Sequence, residues 1–456
     1  MLADAELRPF WLDTPERPEP RPPLEGAAEA DLVVVGAGLT GLWTALLAAE
    51  AGERVVVLEA ERVAFGASGR NGGFLDASLT HGLPNGIERF PREIARLEEL
   101  ARENLADTEA ALSRHGIDAR WERTGLLDVA TRAHEVDGLA EHAATLRRHG
   151  WDAEHLDRAA LREQVDSPTY LAGVWTRDST ALVDPARLCW GLAAAADRAG
   201  ARIHEGTAAT SLERDGAGVA VRAPGGRVRA RRCVLATSAF PPLVRAIRRY
   251  VVPVYDYVLV TEPLPQDALA GIGWRDRQGI SDSGNRFHYY RLTADDRLLW
   301  GGYDAVYHFR NGMRPELEER PATYELLARH LLETFPQLEG VRATHRWAGA
   351  IDTCSRFSVM FGRALGGRVV YAVGFTGLGV GASRFAARVA LDLAHGRDTE
   401  LTRLELTRTR PLPFPPEPLR WLVITWTRHA LARADSTGRR GPWLRLLDRL
   451  GLGFDS

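Results

Sequence analysis

Alternating stretches of apolar and polar residues predict a chain that mixes helices with strands. Residues 32–35 form a short apolar run, which is typical of a parallel strand buried on both faces. Residues 42–51 have the composition of a buried helix that ends at Gly52, and residues 54–58 form a second apolar run. This order predicts a strand–helix–strand unit of the kind that builds a parallel sheet.

Apolar spacing and turn residues predict the elements that follow. Helices are predicted at 91–114, 132–149, 185–200, 321–334, after the glycine-rich stretch 374–381 as far as 394, and beyond the prolines of 411–418. Strands are predicted at 125–130, 219–221, 227–237, 250–261 and 368–373, and residues 286–292 are expected to pair with 297–303 as a hairpin. The β-rich middle of the chain therefore predicts an antiparallel sheet and a second domain.

A glycine fingerprint lies between the first predicted strand and the first helix. Gly36, Gly38 and Gly41 form G-x-G-x-x-G, in which the glycines allow a tight turn, close approach of a pyrophosphate and close helix packing. Glu59 ends the second strand, where a carboxylate can accept hydrogen bonds from ribose hydroxyls. The order of these features predicts a dinucleotide site, with the helix N-terminus facing the phosphates.

Composition narrows the possible functions. The net charge of −2 offers no electrostatic reason to bind nucleic acid or an anionic membrane. All 58 basic residues are arginine, which excludes a Schiff-base lysine or a lysine general base. Three separated cysteines suggest a reducing compartment and no metal cluster. With no apolar run of membrane length and no signal-like N-terminus, we expect a cytoplasmic protein.

Four stretches carry a resemblance to a known family. They are G-A-S-G-R-N-G-G-F at 66–74, Y-Y-R-L-T-A-D-D-R-L-L-W-G-G at 289–302, H-R-W-A-G-A-I-D at 345–352 and G-F-T-G-L-G-V-G at 374–381. With the fingerprint, they resemble the FAD-dependent amine oxidases of the D-amino-acid oxidase superfamily, and within it the gamma-glutamylputrescine oxidase-like group. The alternative interpretation of 374–381 is a tight strand-to-helix turn that binds no ligand.

The resemblance implies one bound FAD and the residues that hold it. The ADP half is expected at Gly36, Gly38, Leu39, Thr40, Gly41, Glu59, Ala60 and Arg62, with adenine against the backbone of Ala208 or Ala209. The ribityl chain and isoalloxazine are expected along Ser68, Gly69, Arg70, Asn71, Gly72 and Gly73. The flavin N1/O2 edge is expected at Gly377, Leu378, Gly379 and Val380, where a helix N-terminus stabilises negative charge by up to about 2 kcal/mol.

The implied fold is α/β. We expect a Rossmann-like FAD-binding domain of the glutathione-reductase type, with an inserted antiparallel-sheet substrate domain. The FAD domain is predicted to be discontinuous, at 28–85, 165–240 and 340–400. The substrate domain is predicted at 86–164 and 241–339. Residues 1–27 are expected to be an extended N-terminal segment, and 401–456 a C-terminal helical extension.

The chain departs from its sarcosine-oxidase-like relatives at three points. Those relatives carry a flavin-linking cysteine, but Cys354 sits several residues too late, so we expect non-covalent FAD. They activate oxygen with a lysine, and this chain has none. They also hold a substrate carboxylate with basic residues. At the aligned positions, near Gly73 and Gly381, this chain has glycines. An amine recognised elsewhere in the cavity is therefore expected rather than a small amino acid.

The predicted wall of the substrate site is the antiparallel sheet, whose aromatic side chains suit a cationic amine. Tyr255, Tyr257, Trp347 and Asp352 are predicted to contact substrate, although Asp352 is equally suited to capping a turn. His288, Tyr290 and Arg291 are the predicted catalytic residues, with His288 or Arg291 as the charge that activates oxygen. Because strand residues alternate, His288 and Tyr290 share one face and Phe287, Tyr289 and Arg291 the other, and one set is expected to be core.

These expectations describe an enzyme that oxidises an amine C–N bond to an imine. Hydride would pass to flavin N5, water would release an aldehyde or ketone, and oxygen would be reduced to hydrogen peroxide. Two alternatives stay open: a D-amino-acid-type dehydrogenase that passes electrons to a quinone, and a non-catalytic flavoprotein subunit. A flavin hydroxylase is disfavoured, because A-V-G-F-T-G-L-G-V stands where that class has a G-D-A-A-H-like segment.

Overall fold

Two large β-sheets organise the computed structural model of the protein, which describes residues 1–450 and 452. Its strands, numbered in chain order over those residues, are β1 Glu6–Leu7, β2 Gly26–Val35, β3 Val55–Leu58, β4 Phe74–Asp76, β5 Leu126–Ala130, β6 Ala153–Leu156, β7 Ala172–Thr176, β8 Thr180–Leu182, β9 Arg202–His204, β10 Ser211–Asp215, β11 Gly218–Ala223, β12 Gly226–Leu235, β13 Val252–Pro263, β14 Gly279–Asp282, β15 His288–Leu292, β16 Arg297–Gly302, β17 Val306–Tyr307, β18 Ala343–Thr353, β19 Met360–Ala364 and β20 Val369–Val373.

Helices cover both sheets and form the end of the described chain. They are α1 Leu39–Glu50, α2 Leu83–Arg89, α3 Ile94–His115, α4 Ala133–Val136, α5 Leu139–Arg148, α6 Arg158–Gln164, α7 Pro185–Arg198, α8 Gln266–Ile272, α9 Pro321–Thr334, α10 Gly379–His395, α11 Glu400–Arg403, α12 Glu405–Arg408, α13 Leu419–Thr437 and α14 Pro442–Arg449. Over these residues, no helix combines the length and apolar character needed to cross a membrane.

The first sheet contains the predicted strand–helix–strand unit. Its strand order is β10-β11-β12-β2-β3-β9, with β20 paired to the end of β12 and β19 beyond it. β2 pairs in parallel with both β3 and β12, and β20 runs parallel to β12. The carboxyl ends of these parallel strands therefore meet at one edge, where a ligand site is expected in such sheets.

The second sheet is mostly antiparallel and follows the order β1-β18-β13-β16-β15-β14-β5-β7-β6. One of its faces packs against α9 through a buried aromatic cluster. The other face looks toward the dinucleotide edge of the first sheet. The mixed α/β fold is thus as predicted, but 165–176 and 340–353, expected in the FAD domain, supply β7 and β18 to this second sheet.

One local prediction needs correction. The single helix expected at 132–149 is split into α4 and α5, because Gly138 between them adopts a left-handed conformation (φ 100°). The N-terminal segment, expected to be extended, contains one short strand and a 3-10 helix at Phe10–Leu12. Glu6–Leu7 joins the second sheet beside β18, and the Trp11 side chain is buried. Trp11 Nε1 donates to the carbonyl of Asn71 (2.8 Å), so this segment supports the loop that follows β3.

Gly41 sets the distance between α1 and the turn that follows β2. A Cβ atom at residue 41 would lie 1.9 Å from the carbonyl oxygen of Gly36. We expect Gly41→Ala to displace α1 and lower the free energy of unfolding by about 1–3 kcal/mol, as overpacking does elsewhere. Urea denaturation measures this loss. Gly271→Ala is the matched control, because its Cβ would meet Gln337 at an ordinary 3.6 Å; equal stability losses in both variants would contradict the close packing.

Candidate active site

A cavity of about 1210 Å³ opens at the carboxyl ends of the parallel strands and extends along the second sheet. It is larger than the roughly 300–1,000 Å³ that small-molecule sites usually occupy. Its volume therefore has room for a dinucleotide together with a second molecule.

The turn after β2 is braced from the end of β3. The backbone N–H of Ala37 donates to one carboxylate oxygen of Glu59 (2.6 Å), and the N–H of Glu61 donates to the other (3.0 Å). Burial raises the pKa of Glu59, while those two N–H donors oppose the shift. Because Gly38 has no side chain to cap α1, the first N–H groups of this helix are available to a phosphate.

Most of the residues predicted to hold the cofactor line this cavity. They are Gly36, Gly38, Leu39, Thr40, Glu59, Ala60, Ser68, Arg70, Asn71, Gly72, Ala208, Ala209, Gly377, Leu378, Gly379 and Val380. Gly41, Arg62, Gly69 and Gly73 lie behind the lining instead. Arg62, for example, donates to the carbonyl of Pro18 (2.5 Å) and lies 3.4 Å from the carboxylate of Glu205, so it supports the wall.

The loop between β20 and α10 holds an unusual backbone conformation. Thr376 has φ 52°, a left-handed angle that a β-branched residue rarely adopts. Its hydroxyl accepts from the N–H of Cys354 (3.2 Å) and donates to the carbonyl of Gly374 (3.2 Å). The Asp352 carboxylate accepts from the N–H of Gly374 (2.6 Å), and burial raises its pKa to about 7. Asp352 lines the cavity and caps this turn, which is the second of its two expected roles.

The predicted catalytic residues do not line the cavity. His288 and Tyr290 point to the α9 side of β15, where His288 bonds Asp282 and lies 3.0 Å from a ring nitrogen of His330. Tyr290 donates to or accepts from Tyr170 (2.7 Å) in the same buried layer. The predicted contact of His288 and Tyr290 with flavin or substrate is not found, because both side chains lie on the face of β15 that packs toward α9.

Arg291 lies on the cavity side of β15 but beneath its lining. The fully buried guanidinium donates to the carbonyl of Val183 (2.8 Å) and, more weakly, to that of Gly73 (3.4 Å). Burial lowers its pKa to about 10, so it stays a cation at neutral pH. Arg291 therefore supports the end of the 66–74 loop from below and does not reach the cavity.

Three predicted substrate residues also lie outside the cavity lining. Tyr255 and Tyr257 pack into the aromatic cluster against α9, and the Tyr257 hydroxyl donates to the carbonyl of Leu317 (2.9 Å). The fully buried Trp347 donates from Nε1 to the carbonyl of Arg70 (2.8 Å), so it positions the 66–74 loop. These three side chains pack behind the cavity lining and do not form part of its surface.

The alternate residues of the same strands are the ones that face the cavity. Tyr289 and Asp256 both line it, and the Tyr289 hydroxyl donates a short hydrogen bond to the Asp256 carboxylate. The Tyr289 ring packs so closely on Gly72 that a Cβ there would lie 2.5 Å from a ring carbon. Burial raises the pKa of Asp256 to about 6, and the donor Tyr289 opposes that shift.

Further carboxyl groups give this part of the cavity an acidic wall. Asp76, Asp128 and Asp282 line it, and Asp76 accepts from the hydroxyl of Thr180 (2.7 Å). Burial and the neighbouring Asp76 raise the pKa of Asp128 to about 7. None of these acids was predicted. The signal was available in β13, where Asp256 interrupts the aromatic Tyr255 and Tyr257, and a polar residue at the alternate position marks the less apolar face.

Comparison with known proteins identifies the family. A family model described as "DAO: FAD dependent oxidoreductase" matches residues 31–393. The chain belongs to this family. Gamma-glutamylputrescine oxidoreductase of Escherichia coli (strain K12) is 35% identical over 398 residues, which are 86% of this chain and 89% of that protein. The probable oxidoreductase OrdL of Haemophilus influenzae is 28% identical over 411 residues, 88% and 90% of the two chains.

Solved structures share the fold of this DAO-family chain. The crystal structure of glycine oxidase from Geobacillus kaustophilus superposes with a TM-score of 0.70 at 21% identity, covering 84% of this chain and 99% of that one. L-amino acid deaminase from Proteus vulgaris gives a TM-score of 0.68 at 17% identity, with 86% and 100% covered.

The residues of the cavity fit the FAD that this family uses. The Thr237 hydroxyl, just beyond β12, is buried in the lining without a hydrogen-bond partner among the described residues. Such a group is costly unless a ligand satisfies it. At Gly377 (φ 93°) a Cβ would meet nothing within 4 Å, so the backbone before α10 faces open space. The α10 N-terminus also lacks a side-chain cap, which suits the negatively charged edge of a reduced flavin.

None of the three cysteines lines the cavity, although Cys189 lies 3.9 Å from the carbonyl of Ser68 and Cys354 lies under the 374–381 loop. Cys354 is fully buried, and its thiol donates to the carbonyls of Ser358 (3.2 Å) and Gly374 (3.4 Å).

We expect acid precipitation to release all FAD from the parent and from Cys354→Ser alike. Absorbance of the supernatant and pellet measures the release. Yellow colour retained in the parent's pellet and lost in the variant would show a covalent link.

Proposed function

We propose that the protein oxidises the C–N bond of an amine to an imine, which water then converts to an aldehyde or ketone. FAD bound in the cradle supplies the two-electron acceptor for this step. The Escherichia coli relative is named for an acylated diamine, gamma-glutamylputrescine, which supports an amine as the substrate class. The two sheets then correspond to a glutathione-reductase-type FAD domain and an inserted substrate domain.

The pair formed by Tyr289 and Asp256 carries this proposal. Tyr289 packs on Gly72 of the loop that is expected to run along the isoalloxazine, so its phenol stands at the boundary of cofactor and substrate. Because the phenol O–H donates its hydrogen bond to Asp256, the phenol oxygen has lone pairs left to accept a hydrogen bond from a substrate N–H. The pair therefore orients an amine nitrogen beside the 66–74 loop.

The electrostatics of the wall favour an amine over a small amino acid. Asp76, Asp128, Asp256 and Asp282 surround the inner cavity with carboxyl groups, which attract an ammonium and repel an α-carboxylate. Arg70 is the guanidinium on the adjoining loop, and its Nη1 already lies 2.7 Å from the carboxylate of Glu318. Desolvation lowers the pKa of a bound ammonium and the carboxylates raise it, so the amine has to lose a proton in the cavity before it reacts.

The proposed electron acceptor is molecular oxygen. A primary amine, oxygen and water then yield an aldehyde, ammonia and hydrogen peroxide. Arg70 lines the cavity, unlike His288 and Arg291, but its guanidinium is paired with Glu318 (2.7 Å), so no oxygen-activating cation is assigned. We expect one peroxide per aldehyde, measured by an oxygen electrode with a peroxide assay. Slow reaction with oxygen but fast reaction with a soluble quinone would show a dehydrogenase.

The Asp256 carboxylate should impose a pH limit on amine oxidation. Its pKa of about 6 lies above the usual value, so the carboxylate is present above about pH 6 and is lost as the pH falls through that value. Protonated Asp256 is a neutral and weaker acceptor for the Tyr289 hydroxyl, so the rate of anaerobic flavin reduction should fall below about pH 6. Stopped-flow absorbance over a pH series measures this loss of rate.

Two variants test whether Asp256 and Tyr289 cause the loss of rate below pH 6. Asp256→Asn should remove the inflection near pH 6, while any inflection from Asp128 near pH 7 remains. Tyr289→Phe should slow reduction by about tenfold or more, the value of a hydrogen bond at a polar site. An unchanged profile in Asp256→Asn together with the parent's rate in Tyr289→Phe would remove this pair from the reaction.

A further inference from the structure

The C-terminal extension holds large apolar side chains in solvent. The family match ends at residue 393, whereas α13 and α14 lie beyond it. Among the described residues, twelve large apolar side chains are exposed, and half of them lie within 419–450. Single exposed apolar groups are common on protein surfaces, but a concentration of them marks a surface that meets another molecule or a membrane. The six are Leu419, Trp421, Leu422, Trp426, Leu446 and Leu450.

Three of these side chains form one stripe along α13. Leu419, Leu422 and Trp426 are spaced by three and four residues, so they lie on one face of the helix. Their exposed fractions are 53%, 53% and 65%. His429 and Arg433 continue the same spacing and are also exposed. The stripe therefore passes from apolar to basic along the helix.

Other side chains of α13 attach this helix to the rest of the protein. Arg428 pairs with Asp304 (3.2 Å), which lies just before β17. The buried carboxylate of Asp435 accepts from the backbone N–H of Asn285 (2.9 Å), which lies between β14 and β15. These contacts hold α13 on the second sheet and leave its apolar stripe facing solvent.

The second helix of the extension, α14, has a similar division. Leu444 and Leu447 are buried in a small apolar cluster with residues of α13. Arg445, Leu446 and Arg449 are exposed. The exposed parts of both helices thus combine leucine or tryptophan with arginine, which is the composition of helices that lie in a membrane interface.

The surface charge of the extension is positive. Residues 419–450 contain seven arginines and two aspartates, although the whole chain has a net charge of −2. Both aspartates are engaged within the fold, because Asp435 is bonded as described above and Asp448 accepts from Arg440 (2.6 Å). The net charge of the chain therefore conceals a basic surface. Its exposed arginines are Arg433, Arg439, Arg445 and Arg449.

We propose that α13 and α14 dock on a lipid surface that carries anionic headgroups. The apolar stripe of α13 enters the boundary between headgroups and acyl chains, where tryptophan is favoured. The exposed arginines meet the lipid phosphates. The contact is peripheral, since the two helices lie on the lipid surface and do not cross it.

Charge favours a lipid surface over a second copy of the chain. A symmetric dimer through this face would bring the basic surface of one copy against the same surface of the other. Like charges across an interface oppose association, whereas an anionic lipid surface attracts each arginine.

The docking surface adjoins the candidate active site. Ala434, Gly438 and Arg440 of the extension line the cavity. Trp426 precedes Ala434 by eight residues on the same helix, which is a rise of about 12 Å. Docking therefore places the lipid surface beside this end of the cavity.

Co-sedimentation with lipid vesicles tests this surface. The holoenzyme is mixed with vesicles of phosphatidylglycerol and phosphatidylcholine in equal parts, or with vesicles of phosphatidylcholine alone. At low salt we expect binding to the anionic vesicles to be tighter by about tenfold or more, because each arginine near such a surface contributes about fivefold in affinity. Added salt should reduce this preference by screening the charges.

Two double variants separate the apolar contribution from the charged one. Leu422→Ser with Trp426→Ser should weaken binding to the anionic vesicles by about tenfold or more, because less apolar area leaves water. Arg433→Gln with Arg445→Gln should weaken it by about fivefold for each charge and leave binding to phosphatidylcholine unchanged.

Matched changes elsewhere on the protein serve as controls. Ile87→Ser removes an exposed apolar side chain from α2, and Arg214→Gln removes an exposed arginine from β10. Both should keep the parent's affinity for anionic vesicles. FAD content and Tm equal to those of the parent show that each variant is folded, and neither measurement depends on amine oxidation.

Three results would overturn docking on lipid while amine oxidation stands. The first is equal binding of the parent to both kinds of vesicle, or binding to neither. The second is a loss of affinity in the control variants as large as in the double variants. The third is a dimer of the parent in size-exclusion chromatography without lipid that Leu422→Ser with Trp426→Ser dissociates, which would assign this face to a second copy.

Discussion

The loop of residues 66–74 is the constraint on which the site depends, because it joins the two sheets. Its backbone carbonyls receive hydrogen bonds from Trp11, Trp347 and Arg291, which come from the N-terminal segment, β18 and β15. Tyr289 packs on the same loop at Gly72. Since these contacts come from the second sheet and its edge, the position of a flavin held by the loop is coupled to the wall that would hold the substrate.

This coupling gives roles to several residues whose chemistry first suggested substrate contact. Trp347 and Arg291 are buried donors, and they satisfy the carbonyls of Arg70 in the loop and of Val183 just after β8. Burying a guanidinium is costly in free energy unless its N–H groups find acceptors. Arg291 finds them in the carbonyls of Val183 and Gly73, which lie under the cavity lining. The surface of the site is left to Tyr289, Asp256 and the other acids of the inner wall.

The dinucleotide half could be predicted because its chemistry lies in backbone and spacing. The glycine turn, Glu59 and the 374–381 loop are local features, and most of their residues line the cavity, although Gly41 lies behind it. The residues of the substrate half could not be predicted in the same way, because they depend on which face of β13 and β15 packs on α9. Sequence alternation shows that Tyr255 and Asp256 point opposite ways, but the large aromatics suited both a core and an amine site. The position of α13 also depended on long-range contacts through Asp435, which no local pattern indicates.

Anaerobic mixing of the holoenzyme with gamma-glutamylputrescine, without any nicotinamide cofactor, tests amine oxidation most directly. We expect the long-wavelength flavin band to bleach in one turnover and an aldehyde to form in equal amount, because the FAD proposed to bind in the cradle would itself accept the electrons. Failure of this and other primary amines to bleach the band, with bleaching only after a reduced nicotinamide is added, would contradict amine oxidation as the function.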